Sequence, residues 1–152
     1  MDNVSEETRA RMMSGIKGKN TRPELLVRRY LHARGLRYRL HDRNLAGSPD
    51  LVLKRFKVAI FVHGCFWHRH HGCRYATTPK TRREFWVSKL EKNRTRDEAS
   101  QQKLLMQGWR VAVVWECDLR RSSETTLAGL HDFVMSDRSL HEFTSAQDPK
   151  VE

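Results

Sequence analysis

The chain has 152 residues, 38% of them hydrophobic, with a net charge of +11 and a pI near 10.1. That length suits one domain with its own core, and no apolar run is long enough to cross a membrane. Three cysteines, an odd number, argue against a disulfide framework and for an intracellular thiol or metal role, and the acidic N-terminus is not a secretory signal. The charge is uneven: residues 1–121 carry 27 Lys and Arg against 12 Asp and Glu, and residues 122–152 carry 2 against 6. A basic body of this strength points to a polyanionic partner, most commonly nucleic acid.

Residues 1–20 read as a basic N-terminal arm ending in the Gly- and Lys-rich link "GIKGKNT". Met12, Met13 and Ile16 form an apolar patch on it, suited to docking on the body or to entering a nucleic-acid groove as a wedge. "TRPELLVRRYLHARG" then predicts a helix, with Thr21 as N-cap, Pro23 in the first turn and Gly35 as the stop. "LRYRLH" (36–41) alternates as a strand, "NLAGSP" is a turn, and "DLVL" and "VAIFV" read as the two strands of a hairpin. The segment "HGCFWHRHHGC" (63–73) follows as a loop. Residues 81–107 predict a long helix stopped by Gly108, 109–115 a buried strand, and 122–136 a last helix. The expected organisation is the arm 1–20, a domain over 21–138 and a flexible tail from 139 to 152. This order gives an α/β or α+β domain with a mixed sheet flanked by helices.

Cys65, Cys73 and Cys117 are all the cysteines, and His68, His70 and His71 lie between the first two. Three thiolates and one imidazole make a closed tetrahedral zinc site of the structural kind. The spacing leaves open which histidine completes it. His63 and His68 are then candidates for a general base, since a neutral imidazole titrates near physiological pH. Asp50 opens the strand one hairpin away from His63, a placement in which nucleases hold a hard cation. On the long helix, Leu90, Asn93, Asp97 and Leu104 fall within about 40° of Trp86 at about 100° per residue. Asp97 therefore faces inward and needs a partner, either an arginine or a histidine that it orients. Glu24 suits a capping box with Thr21, and it also shares an inward face with Val27 and Leu31. Phe66, Trp67 and Trp86 sit among arginines and lysines, where rings either pack in a core or stack on bases.

The segments "RMMSGIKGKNTRPE", "GSPDLVL", "VAIFVHGCFWHRH", "TRREFW", "KNRTRD" and "GWRVAVVWEC", in this order from about Thr8 to Cys117, resemble the very-short-patch-repair endonucleases of bacteria. The resemblance implies a restriction-endonuclease-like α/β fold with a structural zinc site. It implies a Mg2+-dependent enzyme that nicks DNA 5′ of the thymine in a T·G mismatch left by deamination of 5-methylcytosine. Asp50 and the main-chain carbonyl of Val62 would hold the magnesium, His68 would act as general base and Asp97 would support the histidines. Glu24 and His63 would hold waters around the metal. Cys65, His70, Cys73 and Cys117 would bind zinc. Phe66, Trp67 and Trp86 would form a wedge beside the mismatch, with Met13 and Ile16 entering from the opposite groove. The resemblance also implies a monomer at the nucleoid in the bacterial cytoplasm, acting on duplex DNA, without a membrane, and meeting mismatch-repair or repair-synthesis proteins. Phe61 and His63 stand where the wider nuclease superfamily has an acid and a lysine, and Val62 where a threonine is common. Gly72 looks like one extra residue before Cys73, so His70 and His71 both stay open as ligands.

Overall fold

A computed structural model describes residues 20–145. Helix α1 (Arg22–Ala33) leads to β1 (Arg39–Leu40), β2 (Leu51–Leu53), a 3-10 turn (Lys54–Phe56) and β3 (Val58–His63). Helix α2 (Arg83–Met106), β4 (Arg110–Trp115), α3 (Glu116–Met135) and β5 (Leu140–Phe143) complete it. The sheet order is β1-β2-β3-β4-β5. The first three strands pair antiparallel and the last three parallel, giving the expected mixed α/β sheet. No described helix is long and apolar enough to cross a membrane.

Strand alternation decides what each face carries. Val58, Ile60 and Val62 of β3, with Ala112 and Val114 of β4, pack against Val27 and Leu31 of α1 and Leu127, Leu130 and Phe133 of α3. Ala59 and Phe61, with Val111, Val113 and Trp115, look the other way, toward Leu104 of α2, Cys65 and Cys117. The two central strands, β3 and β4, are buried on both faces, which is why they read as continuous apolar runs. Arg110 ties the far end of the sheet together: its guanidinium donates to the carbonyls of Phe133 and Val134 at the end of α3 and of Phe56 after β2.

The turn before β2 is pressed against α2. Gly47 has φ +75, and a Cβ there would lie 2.8 Å from Ser100 Cβ. Only glycine combines that backbone with that approach, so the turn that delivers Asp50 is fixed by Gly47.

Three elements differ from expectation. The strand over 36–41 shrinks to Arg39–Leu40, because Leu36 turns into the core and His41 takes a left-handed φ of 48. The helix expected over 122–136 is present, and a helical segment over 116–121 runs into it directly after β4, with a break in helical geometry at Ser122. Cys117 is therefore in the first helical turn. The tail from 139 is corrected over Leu140–Phe143, which form a parallel edge strand on β4, with the Val111 N–H donating to the Ser139 carbonyl at 2.8 Å. An edge strand keeps polar residues, so its pattern is weak. The arm, with Met12, Met13 and Ile16, lies outside the described residues.

Candidate active site and metal centre

The C-terminal ends of β3 and β4, the start of β2 and the middle of α2 border a cleft of about 540 Å³. Asp50, Val62, His63, Phe66, Trp67, His68 and Asp97 line it, with Glu116 and Arg120 on one rim. Asp50 Oδ2 accepts from the Val62 N–H at 2.7 Å. In a strand a residue's N–H and C=O point to the same side, so the Val62 carbonyl faces the same edge as Asp50. Burial pushes the Asp50 carboxyl up to about 7; the Val62 hydrogen bond opposes this and the adjacent Glu24 adds to it.

Glu24 is buried on α1. Its N–H takes half of the capping role, donating to Thr21 Oγ1 at 3.4 Å, but its carboxylate turns inward. Both oxygens lie 2.9 Å from His41 Nε2, and Oε2 is 3.3 Å from Arg28 Nη1. A carboxylate only accepts, so the His41 ring proton sits on Nε2. Glu24, His41 and Asp50 each bring one ligand atom within 4.8 Å of the others.

Across the cleft, His68 Nδ1 meets Asp97 Oδ2 at 2.6 Å. The inward carboxylate on α2 thus finds a histidine, not an arginine. With the proton on Nδ1, Nε2 is the nitrogen left to the cleft as acceptor. The His63 ring lies flat against His68, centroids 3.8 Å apart and planes 5° apart. Burial, then the charges of His68 and His70, hold His63 well below the usual histidine range. Its Nδ1 is buried without a hydrogen-bond partner among the described residues. Such an atom costs free energy unless something in the site satisfies it.

The loop after β3 turns tightly, with the His68, Arg69 and His70 N–H groups donating to Gly64, Phe66 and Cys65. Neighbouring side chains therefore splay in different directions. Helix α2 staples the loop through Asn93, which donates to the Trp67 carbonyl at 3.1 Å, and through Glu91 with Arg69. Phe66, Trp67 and Trp86 form one partly exposed cluster with centroids 5.0 to 5.9 Å apart, Phe66 and Trp67 line the cleft, and Phe85 continues the cluster edge-on to Trp86.

On the inner side of the loop, Cys65, His70, Cys73 and Cys117 bring four ligand atoms within 4.8 Å of one another. His70 Nδ1 is 3.5 Å from Cys117 Sγ. Bonds of about 2.3 Å to sulfur and about 2.0 Å to nitrogen, meeting at a tetrahedral angle, require about that separation. His70 is buried and its ring is stacked on Trp115 at 3.8 Å, whereas His71 is exposed. Burial, then the charge of His71, lowers His70 to about 4, which keeps its imidazole neutral. Burial and the two neighbouring thiols push Cys65 up, a cost that a bound cation would relieve. The donor set fits a metal ion of the zinc type.

Residues 1–74 match the family described as Vsr, DNA mismatch endonuclease. A type II nicking enzyme of Xanthomonas oryzae is 49% identical over 118 residues, covering 78% of this chain and 86% of that protein. The DNA mismatch endonuclease Vsr of Escherichia coli is 42% identical over 119 residues, covering 78% of this chain and 76% of that protein. A type II nicking enzyme of Neisseria meningitidis is 33% identical over 147 residues, covering 97% and 99%.

The chain belongs to the Vsr endonuclease family.

As a member of that family it is a DNA-cleaving hydrolase. Of the residues singled out in its sequence, Glu24, Asp50, Val62, His63, His68 and Asp97 gather at the cleft. Cys65, His70, Cys73 and Cys117 gather beneath it. Met13 and Ile16 lie outside the described residues. Sequence reasoning missed His41, which faces Glu24, and Trp115, which separates the two centres. The Trp115 ring is stacked on His70 and edge-on to His63 at 5.0 Å. His41 carries no local signal, since a histidine ending a short strand is ordinary. Trp115 reads as the last residue of an apolar strand.

Proposed function

We propose that this endonuclease nicks one strand of duplex DNA 5′ of the thymine in a T·G mismatch, with Mg2+ at Asp50 and a structural Zn2+ beneath the site. The observation that supports it most is that one cleft is lined both by the acid–base groups and by Phe66 and Trp67 of the aromatic cluster. Those two sets serve different steps: cutting a phosphodiester, and prising a base step apart.

Asp50 and the Val62 carbonyl would hold the magnesium, and Glu24 and the partnerless Nδ1 of His63 would hold waters around it. The donor set fits, because two carboxylates pressed together and a buried orphan nitrogen are what a hydrated cation relieves. When bound, the ion supplies positive charge to the scissile phosphate. His68 Nε2 takes a proton from the attacking water as its oxygen bonds to phosphorus. The bridging P–O bond to the leaving sugar oxygen breaks, that oxygen takes a proton from solvent water, and the His68 imidazolium returns its proton to solvent. Asp97 holds the His68 ring in the tautomer that can accept, and stabilises the imidazolium that forms. His63, neutral and flat against His68, limits that ring to one plane.

Phe66, Trp67 and Trp86 are the proposed wedge beside the mismatch, with Met13 and Ile16 of the arm entering the opposite groove. A T·G pair is a weakly held step, so separating it costs less than separating a Watson–Crick step. Cys65, His70, Cys73 and Cys117 would hold Zn2+ and so keep the loop rigid under that load. The test is a nicking assay on otherwise identical T·G and T·A duplexes with wild type and Asp50→Ala. The proposal expects Mg2+-dependent nicking of the T·G duplex only, abolished by the substitution. Equal cleavage of both duplexes contradicts mismatch selection, and activity surviving Asp50→Ala contradicts the metal assignment.

A further inference from the structure

The cleft chemistry does not use the polar residues at and after β5, yet two of them reach the Cys–His cluster. Glu142 accepts a hydrogen bond from the Trp115 indole N–H, and Trp115 is the ring stacked on His70. Thr144 Oγ1 lies 2.8 Å from His70 Nε2, across 74 residues of sequence. One of the four ligands, and the ring covering it, are thus held from the segment 142–144.

The chemistry of the contacts is that of a metal ligand's support. His70 turns Nδ1 toward Cys117. An imidazole that offers the Nδ1 lone pair to a cation must carry its hydrogen on Nε2. A hydroxyl oxygen facing Nε2 accepts that hydrogen, which fixes both tautomer and ring plane. The Thr144 contact is not needed to end a strand, because β5 already closes its pairing at Phe143 with Val114.

We propose that Thr144 is a positioning residue of the Cys65–His70–Cys73–Cys117 centre, so that the C-terminal strand segment forms part of that site. This rests on reading the cluster as a zinc site. Thr144 acts through His70 and touches neither the metal nor DNA.

The experiment uses the full chain as wild type, Thr144→Val and Thr144→Ser. Stripped protein is titrated with Co2+, followed by its thiolate absorption bands, and Zn2+ affinity is obtained by competition with a chromophoric chelator. Thermal melts are recorded with and without Zn2+. Valine keeps the shape and removes the hydroxyl; serine keeps the hydroxyl. Thr144→Val is expected to weaken Zn2+ binding about 10- to 100-fold, the range for losing such a support, while Thr144→Ser stays within about threefold of wild type. The metal-free melts should coincide, and only the rise in melting temperature on adding Zn2+ should shrink in the valine variant. Equal Zn2+ affinity in wild type and Thr144→Val overturns the proposal, as does a metal-free melting loss as large as the metal-bound one. A wild type that binds neither Co2+ nor Zn2+ instead overturns the zinc reading on which the proposal rests.

Discussion

Replacing Asp50 by Asn is expected to abolish nicking and, in Mg2+-free protein, to raise stability at alkaline pH. Burial first, and Glu24 second, lift the Asp50 carboxyl from 3.8 to about 7 in the fold. A carboxyl that is harder to ionise in the folded than in the unfolded chain helps folding while it stays protonated. That contribution is complete below about pH 4 and is lost as pH rises to about 7 and beyond. The interval from 3.8 to about 7 corresponds to about 4 kcal/mol at about 1.4 kcal/mol per pH unit. Asp50 also borders the open cleft and shares its burden with Glu24, so about half of that is the working value. Asn has no charge to desolvate, and its amide oxygen still accepts from the Val62 N–H. The variant should therefore melt about 4–8 °C above wild type at about pH 8, and the gain should fall to well under half at about pH 5. The assay is paired thermal melts at several pH values in Mg2+-free buffer without chelator, so that the Cys–His centre keeps its metal. Adding Mg2+ at about pH 8 should raise the wild-type melt and leave the variant unchanged. No gain at alkaline pH, or a gain that does not vary with pH, refutes the reasoning.

Asp97→Asn should keep the nick position and slow single-turnover nicking by about 10²- to 10⁴-fold, because the amide no longer fixes the His68 tautomer; an unchanged rate would remove Asp97 from the mechanism. His70→Ala should purify without zinc and His71→Ala with it, by elemental analysis, since only His70 faces the thiols; the reverse result moves the ligand to His71. Trp67→Ala should melt close to wild type but bind a T·G duplex about 1–3 kcal/mol more weakly, the scale of one base–ring stack, in a fluorescence titration. Unchanged affinity would reduce Trp67 to packing.

Much of this site is legible in the sequence because it depends on periodicity. The parallel strands β3 and β4 show as apolar runs, and the stripe of α2 puts Asp97 on the same side as Leu90, Asn93 and Leu104. That Asp97 ends on His68, 29 residues away, needed the fold. Glu24 shows the limit of local rules: a capping box is read correctly at its backbone, yet tertiary structure claims the carboxylate for His41 and Arg28. The extra glycine before Cys73 left His70 and His71 equal on spacing; burial and the turn of the loop separate them. Thr144 carries no signal at all, because it lies on an edge strand's exit where polar residues are ordinary, and its partner His70 is distant in sequence.

The most direct measurement is single-turnover nicking of a T·G duplex labelled on each strand, with Mg2+, by wild type and His68→Ala, with the products sized against ladders. One cut, on the thymine strand and immediately 5′ of the mismatched thymine, lost to within background in His68→Ala, is the predicted result. Cuts on both strands, cuts away from the mismatch, or wild-type rates in His68→Ala would contradict it.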